Sequence, residues 1–404
     1  MKKMFLIAFV LFNTAVFSQN RISGTVSNEK KQPLEGASVY INNTTIGVST
    51  KSNGTFELNL KEGIHELIVS YIGYKTIQLN LNTDTYTKPL SLQLEIEENT
   101  LDEIVIKRTV YDDEWKYNLK SFKQAFFGRT KLAKECTILN PKVLSFEYNN
   151  KSGVLVAEAR EPLQIRHNGL GYIISYDLVE FSLGRKRLFF SGYTKYSNLK
   201  KSIKRKWKRN RLKAYNGSQV HFLNSLITNK LKSDGFIVNQ FKRVLNPDRP
   251  SEEKIKLARE LVSLQNSRIN FSKTITNPQS ALDSAIIVIQ NSSRPKYRDY
   301  LYKKNVPHKE MISKIENDFF LDFENYLSII YTKEAEEENY LIGMFGKRKK
   351  ATGMQTSNIV LIDGKSKIDN SGILINPHAI FVEGYWGFES FANMLPADYQ
   401  PPKD

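Results

Sequence analysis

The sequence predicts a small β-sandwich at the N-terminus followed by a larger α+β domain. Apolar and polar side chains alternate in short runs over residues 21–94, which is the pattern of half-buried strands. Turn-forming residues separate these runs, and Asn53-Gly54 is typical of a tight hairpin because both residues tolerate a positive φ. Beyond residue 112, runs with helical spacing are mixed with further alternating runs, which is typical of an α+β fold.

The first residues have the composition of a secretory signal peptide. Two lysines precede an apolar run over residues 4–17, and the small residue Ser18 predicts cleavage before Gln19. This run is shorter than the about 20 apolar residues that a bilayer-spanning helix needs. We therefore predict residues 1–18 as a signal peptide, with an uncleaved membrane anchor as the alternative. Because no cysteine stands near the cleavage site, a lipoprotein anchor is not expected.

Four ordered motifs within residues 19–94 resemble the carboxypeptidase regulatory-like domain. They are G-x-V at Gly24–Val26, P-L-x-G-A-x-V at Pro33–Val39, T-x-x-x-G-x-F at Thr50–Phe56 and S-Y-I-G-Y at Ser70–Tyr74. The resemblance implies a transthyretin-like sandwich of about seven strands, common in envelope proteins of Bacteroidota. In metallocarboxypeptidases this domain lies beside the catalytic domain and holds none of its zinc ligands. The resemblance therefore implies an interaction role and no peptidase chemistry.

Residues 95–111 are predicted to link the two domains. An acidic stretch is followed by the run Leu101–Ile106, which is rich in β-branched residues. This run is similar to the segment that joins the same sandwich to the plug of starch-utilisation-type TonB-dependent transporters, where the segment can contact the energising protein. Two explanations stay open for it here: a strand between the domains, and a strand that adds to the sheet edge of a partner.

The α+β domain is assigned to residues 112–404. Apolar residues recur at helical spacing over residues 115–127, behind the acidic residues 112–114, which favour a helix N-terminus. The other predicted elements are a hairpin of residues 143–148 and 153–159, strands at 171–176 and 178–183, a helix over Tyr215–Leu231, and late strands at Ser280–Ile289 and Gln355–Ile362. Residues 115–400 also resemble the uncharacterised region that follows this sandwich in many secreted Bacteroidota proteins, a region with no assigned activity.

The net charge of +17 is concentrated in a basic element, residues 185–213, which contains thirteen lysines and arginines and no acidic residue. The candidate contact residues in it are Lys200, Lys201, Lys204, Arg205, Lys206, Trp207, Lys208, Arg209, Arg211 and Lys213. The signal peptide argues against nucleic acid as the ligand, so anionic lipid, lipopolysaccharide phosphate or an acidic protein fits better. The alternative is a solvated loop or strand pair that keeps the protein soluble. A second cluster, Lys347–Lys350, is a candidate extension of this surface.

The sequence contains no recognised catalytic, cofactor or metal motif. Its five histidines lack the spacing of a zinc site, and it has no P-loop, dinucleotide fingerprint or nucleophile elbow. Ser218 and His221 stand three residues apart, and a helix cap with a packed histidine explains them better than catalysis does. The acidic residues 112–114 favour a solvated helix start over a cation site. The lone Cys136 is expected to be a buried, unreactive thiol.

We therefore predict a secreted, non-enzymatic envelope protein, periplasmic and associated with the outer membrane. It would act as a scaffold that docks on an outer-membrane protein or an anionic surface. One alternative is a glycan-binding module, which requires Tyr385, Trp386 and Phe388 in the Gly384–Phe388 cluster to be exposed. The other is a hydrolase without a motif, which requires converging polar groups in a pocket of the α+β domain.

Overall fold

A computed structural model describes residues 20–97, 109–185, 187–265, 269–272, 274–316, 318–345, 353–369 and 372–402. The predicted signal peptide, the run Leu101–Ile106 and the cluster Lys347–Lys350 lie outside the described residues. Within the described ranges, no helix combines the length and the apolar character needed to cross a bilayer.

Residues 20–94 form a sandwich of seven strands, which confirms the predicted fold. The strands are β1 (Asn20–Asn28), β2 (Ser38–Ile41), β3 (Gly47–Ser49), β4 (Thr55–Leu60), β5 (Ile64–Ser70), β6 (Ile77–Asn82) and β7 (Leu90–Leu94). One sheet has the order β4-β1-β7 and the other β3-β2-β5-β6. Alternate residues of facing strands fill the core, with Ile22 and Leu60 from one sheet and Val39 and Leu67 from the other.

A six-stranded sheet with one long helix follows the sandwich. Its elements are α1 (Asp113–Phe127), β8 (Cys136–Ile138), β9 (Leu144–Asn149), β10 (Val154–Ala159), β11 (Leu163–His167), β12 (Tyr172–Leu183), β13 (Leu188–Asn198) and α2 (Arg205–Tyr215). The strand order is β8-β11-β12-β10-β9, and β13 also pairs with β12. The predicted helix and the β9–β10 hairpin are confirmed. The two strands predicted at 171–176 and 178–183 are one strand, β12, whose register shifts between Leu178 and Glu180.

A five-stranded sheet and a three-stranded sheet form the rest of the chain. The helices are α3 (Gln219–Ile227), α4 (Leu231–Asp234), α5 (Glu252–Ser263), α6 (Ala281–Ser292), α7 (Glu338–Phe345) and α8 (Tyr385–Glu389). The strands are β14 (Phe236–Leu245), β15 (Tyr297–Lys303), β16 (Ile312–Ile315), β17 (Asp318–Leu321), β18 (Tyr326–Ala335), β19 (Met354–Leu361), β20 (Ser366–Ile368) and β21 (Ile380–Gly384). The larger sheet has the order β15-β14-β18-β19-β21 and the smaller β16-β17-β20. The late strand predicted at Gln355–Ile362 is confirmed as β19.

Two separate apolar cores lie in this larger domain. The core of the six-stranded sheet is aromatic: Phe126 of α1 stacks on Phe391, with ring centroids 4.4 Å apart, and contacts Tyr176 of β12 at 5.1 Å. The hydroxyl of Ser390 donates to the carbonyl oxygen of Phe126 at 2.9 Å. The C-terminal segment, residues 390–402, therefore completes a core that begins at α1.

Two predicted elements differ in the structure. The helix predicted over Tyr215–Leu231 is interrupted at Gly217, whose φ of +76° ends α2 before Ser218 caps α3. The strand predicted at Ser280–Ile289 is the helix α6, because Ser280 and Asp283 form a reciprocal capping box. A short apolar run has no clear period, so the sequence alone does not separate a buried strand from a helix there.

The capping box gives a direct test of the α6 assignment. Replacing Ser280 by Ala removes the acceptor for the N–H of Asp283, 3.0 Å away, so we expect a loss of about 1 kcal/mol in the free energy of unfolding. Urea unfolding followed by circular dichroism measures this loss. Ser284→Ala, at an exposed position one turn further along α6, is the matched control and should not lower stability. Equal stability of both variants would contradict the cap.

Candidate interaction surface

Helix α2 and the loop before it place most of the predicted basic residues at the surface. The exposed ones, which we call the basic surface, are Lys200, Lys201, Lys204, Arg205, Lys206, Lys208, Arg209 and Lys213. Lys204 stands at the N-cap position, and no acidic residue lies in the first turn. A lysine cannot accept bonds from the first N–H groups of the helix, so its charge adds to the positive end of the helix dipole. The basic surface therefore attracts anions most strongly at the start of α2.

Trp207 and Arg211 do not belong to this surface, because both side chains are buried. The indole N–H of Trp207 donates to the carbonyl oxygen of Asn168 at 2.8 Å. The Arg211 guanidinium lies 3.8 Å from the ring centroid of Tyr172 and donates to the carbonyl oxygen of Leu170 at 2.9 Å. The two residues are four apart, so they share the inner face of α2. They fix the helix on the β11–β12 turn and leave the other cations facing outward.

Internal ion pairs neutralise only part of the basic surface. Lys206 pairs with Glu135 at 3.0 Å, and Lys213 lies 4.0 Å from Glu337. Within the ranges that the structure describes, the other six cations have no carboxylate partner: Lys200, Lys201, Lys204, Arg205, Lys208 and Arg209. Exposed pairs contribute little to stability, so these six cations are available for an external anion at little cost to the fold.

The strand before the basic surface contacts the sandwich. The N–H of Thr194 on β13 donates to the side-chain oxygen of Asn42 at 2.8 Å, and its carbonyl oxygen accepts from the N–H of Asn43 at 2.8 Å. The N–H of Tyr196 donates to the carbonyl oxygen of Thr44 at 3.0 Å. The loop between β2 and β3 thus covers backbone groups of β13 that would otherwise be open to another strand.

The C-terminal segment joins the sandwich to the six-stranded sheet. The carbonyl oxygen of Ala392 lies 2.9 Å from Nε2 of the fully buried His167 on β11. The N–H of Ala397 donates to the carbonyl oxygen of Asn43, and the carboxylate of Asp398 accepts from the N–H of Thr45 at 3.0 Å.

A cavity of about 250 Å³ lies where the sandwich faces the six-stranded sheet. Its lining residues are Ser38, Gln164, Ile173, Ser175, Lys195 and Ser197. The ammonium of Lys195 donates to the hydroxyl oxygen of Ser38 at 2.8 Å, and burial lowers the pKa of Lys195. The lining contains neither a histidine nor a carboxylate, so it does not supply the acid and base of a hydrolase. The hydrolase alternative stays a prediction.

The aromatic cluster near the C-terminus is not a ligand shelf. Tyr385, Trp386 and Phe388 are only 2%, 9% and 4% exposed. Trp386 belongs to the core of the five-stranded sheet, and the rings of Tyr385 and Phe388 pack on each other and on Tyr340. The indole N–H of Trp386 donates to the carbonyl oxygen of Gly217 at 2.7 Å, which fixes the break between α2 and α3. The glycan-binding alternative required these rings at the surface, so the version built on this cluster is wrong.

The other predicted chemical candidates have structural roles. The hydroxyl of Ser218 accepts from the N–H of His221 at 3.2 Å, and burial lowers the pKa of that histidine to about 4, as expected for a helix cap beside a packed histidine. Asp112 caps α1 by accepting from the N–H of Trp115 at 2.8 Å. Burial raises the pKa of the Cys136 thiol to about 12, which disfavours its reactive thiolate.

The sequence patterns did not reveal one buried carboxyl group, that of Glu389 in α8. Its side chain accepts a hydrogen bond from the amide of Asn393 at 3.1 Å, and burial raises its pKa to about 8. Glu337 and Glu334 contribute to this increase, and Lys213 of α2 opposes it. The pKa of Glu389 therefore depends in part on Lys213, which belongs to the basic surface.

Comparison with known proteins places the sandwich in a family. Residues 22–106 match the CarboxypepD_reg-like domain, which confirms the resemblance. TonB-dependent receptor P39 of Formosa agariphila is 32% identical over 89 residues, which are 22% of this chain and 8% of that protein. TonB-dependent receptor SusC of Bacteroides thetaiotaomicron is 30% identical over 102 residues, which are 25% of this chain and 10% of that protein.

The chain spans a tenth or less of the length of these curated relatives. Among solved structures, a DUF3823 family protein from Bacteroides ovatus covers 46% of this chain and 83% of that chain at 8% identity, with a TM-score of 0.16. A score this low carries no argument. The domain match and the two receptors indicate an envelope protein whose sandwich is a regulatory-type module and not a catalytic domain.

Proposed function

We propose that this protein is a periplasmic, non-enzymatic docking protein whose basic surface binds an anionic surface of the outer membrane. The observation that carries the proposal is the set of six exposed cations on the loop and on α2 that lack a carboxylate partner in the described residues. The partner would be anionic lipid or lipopolysaccharide, or the acidic face of an outer-membrane protein. The predicted signal peptide and the envelope relatives support this compartment.

The way α2 is held favours binding over mere solubility. A solubilising basic stretch has no need of a fixed orientation. Here the buried Trp207 and Arg211 lock the inner face of α2, so its outer cations keep constant relative positions. A preorganised set of charges loses less conformational entropy on binding than a flexible one does. The sandwich, held against β13 by the loop between β2 and β3, would face the same partner or a neighbouring one.

Vesicle sedimentation tests the proposal. The protein should bind vesicles of phosphatidylcholine with phosphatidylglycerol or lipopolysaccharide, and it should not bind phosphatidylcholine alone. Neutralising Lys201, Arg205, Lys208 and Arg209 to Gln should weaken binding by about 1 kcal/mol per charge, which is more than a hundredfold in total. High salt should release the wild-type protein, because exposed charges are screened over about 8–10 Å.

The matched control neutralises four exposed lysines of the sandwich, Lys30, Lys51, Lys61 and Lys88, and so removes the same formal charge. This control should keep most of the vesicle binding. Equal loss in both variants would show that only net charge matters and would contradict a defined surface. Retention of the wild-type protein on vesicles at high salt would contradict the electrostatic contact.

Affinity purification from gently solubilised envelopes separates a protein partner from a lipid. A stoichiometric outer-membrane protein that is lost with the four-residue variant of the basic surface would make that protein the docking partner. Recovery of the protein alone from the soluble periplasm, together with no vesicle binding, would contradict the docking function.

A further inference from the structure

The cavity between the sandwich and the six-stranded sheet has a polar lining that the docking function does not use. We propose that this cavity binds a small hydroxylated monocarboxylate, with the ammonium of Lys195 paired to the carboxylate and the hydroxyls of Ser38, Ser175 and Ser197 bonded to the rest of the ligand. The inference is independent of the proposed docking function, because it rests on different residues.

Strand register brings the lining residues together. Gln164 of β11 pairs with Ser175 of β12, and Ser175 pairs with Lys195 of β13, so the three form one row across the sheet. Ile173 and Ser197 form the next row on the same face. The intervening residues on these strands face the aromatic core on the other side. The lining is therefore one continuous polar patch on a sheet whose opposite face is apolar.

The charge in this patch favours an anion. Lys195 is partly buried, and within the described residues it forms no salt bridge; its ammonium donates to the hydroxyl oxygen of Ser38 at 2.8 Å. A lysine carries three donors, so this bond leaves donors for a ligand. An ammonium removed from water without a counter-charge is unfavourable, and a bound anion would relieve that cost. Burial of the ammonium also lowers the pKa of Lys195.

The other groups define which anion fits. One ammonium matches the single charge of a carboxylate better than the double charge of a phosphate. The side-chain amide of Gln164 donates to the hydroxyl oxygen of Ser175 at 3.1 Å, so the O–H of Ser175 is left to donate to a ligand. The volume of about 250 Å³ lies below the range of roughly 300–1,000 Å³ for drug-sized sites, so the ligand is about the size of one sugar ring.

The sandwich packs closely against the Lys195 side of this cavity. Gly47 of β3 lies beside the stem of Lys195, and a Cβ atom at that position would be 3.2 Å from Cε of the lysine. The same lysine ammonium lies 5.8 Å from the ring centroid of Tyr40. Because Ser38 belongs to the sandwich and Lys195 to the sheet, a bound ligand would connect the two. Ligand binding should therefore raise the melting temperature of the whole chain.

Calorimetric titration of the full chain with D-glucuronate tests the inference, with D-glucose and inorganic phosphate as comparison probes. We expect saturable binding of glucuronate at millimolar concentration or tighter, and at least tenfold weaker binding of glucose. Lys195→Met should reduce glucuronate affinity at least tenfold, and Ser175→Ala should reduce it severalfold. Lys88→Met, at an exposed position of the sandwich outside the cavity, is the matched control and should bind like wild type.

A second readout is independent of whether Lys195→Met perturbs folding. In the wild-type protein, the ¹³Cε resonance of Lys195 should titrate at higher pH when glucuronate is present, because a bound anion favours the charged amine. Absence of saturable glucuronate binding, or unchanged binding in Lys195→Met, would overturn the site. Tighter binding of phosphate than of glucuronate would overturn the ligand class. Each of these results is separable from vesicle binding, which does not involve Lys195.

Discussion

Wild type should lose stability relative to Glu389→Gln as the pH rises from about 5 to about 8. The Glu389 side chain is buried in α8, and its pKa rises from 4.5 to about 8, with burial as the main cause and repulsion from Glu337 and Glu334 as lesser ones. Between these two values the folded state keeps the proton while the unfolded state releases it. Unfolding is therefore favoured by about 1.4 kcal/mol for each pH unit gained.

The sign of this effect follows from the direction of the pKa shift. The stabilising contribution is fully present below the unfolded pKa near 4.5, falls as the pH rises, and has gone once the pH exceeds the folded pKa of about 8. Burial also raises the pKa of Asp177 and of Glu334, so these groups contribute with the same sign. Burial lowers the pKa of His167 and of His221, so these two contribute with the opposite sign below about pH 6.5, in wild type and variant alike. Glutamine keeps the oxygen that accepts from Asn393 and cannot ionise, so the variant should be more stable than wild type at pH 8.

Urea unfolding at about pH 5, 6, 7 and 8 measures the free energy of unfolding across the pH range in which the proton is lost. The matched control is Glu147→Gln, at an exposed position on β9, which should leave the pH profile of wild type unchanged. If the profiles of Glu389→Gln and wild type run parallel, Glu389 does not hold a proton in the folded state at neutral pH.

Replacing Trp207 by Ala should cost about 3–5 kcal/mol in the free energy of unfolding, the range found for removal of a large buried aromatic. The indole is 4% exposed and packs directly on Gly171, where a Cβ atom would be 2.2 Å from Cδ2 of the ring. Gly171 also has a φ of +73°, so only glycine meets both demands of this turn. Trp207→Ala opens a cavity and leaves the carbonyl oxygen of Asn168 without the indole N–H that donates to it.

Chemical denaturation and the helical circular dichroism signal measure the effect of Trp207→Ala. Tyr117→Ala on α1 is the control, because this aromatic side chain is 70% exposed and its loss should change stability by less than about 0.5 kcal/mol. A loss below about 1 kcal/mol in Trp207→Ala would show that Trp207 does not anchor α2. Vesicle binding by the folded fraction should also weaken, since the cations of α2 lose their fixed positions.

The sandwich was predictable because its signals are local. Alternation and turn residues define each strand within a few positions, and the burial of strands such as Thr55–Leu60 follows that alternation. Helix α6 was missed because Ile286 to Ile289 is a continuous apolar run, which fits either a strand or a helix. Its capping residues, Ser280 and Asp283, carried the signal that decides the question.

The candidate sites were predictable only in part. The run of charges made the exposed cations of α2 visible, whereas the burial of Trp207 and Arg211 depends on the turn at residues 168–172. The cavity depends on a contact between Ser38 and Lys195, which are 157 residues apart. No local pattern records a contact at that separation. The sequence likewise shows Glu389 only as one acidic residue beside aromatic ones, and nothing in that pattern indicates that its side chain is buried.

The C-terminal segment has a consequence for how the chain is made. Ser390 bonds to Phe126 across 264 residues, and its neighbour Phe391 fills the aromatic core that α1 begins. At about 5–20 residues per second, a ribosome would add residue 390 roughly 13–53 s after Phe126. During that interval Phe391 is not present to cover Phe126, so the aromatic core of the six-stranded sheet is incomplete. A chain that ends before residue 390 would therefore leave an aromatic face uncovered, which favours aggregation.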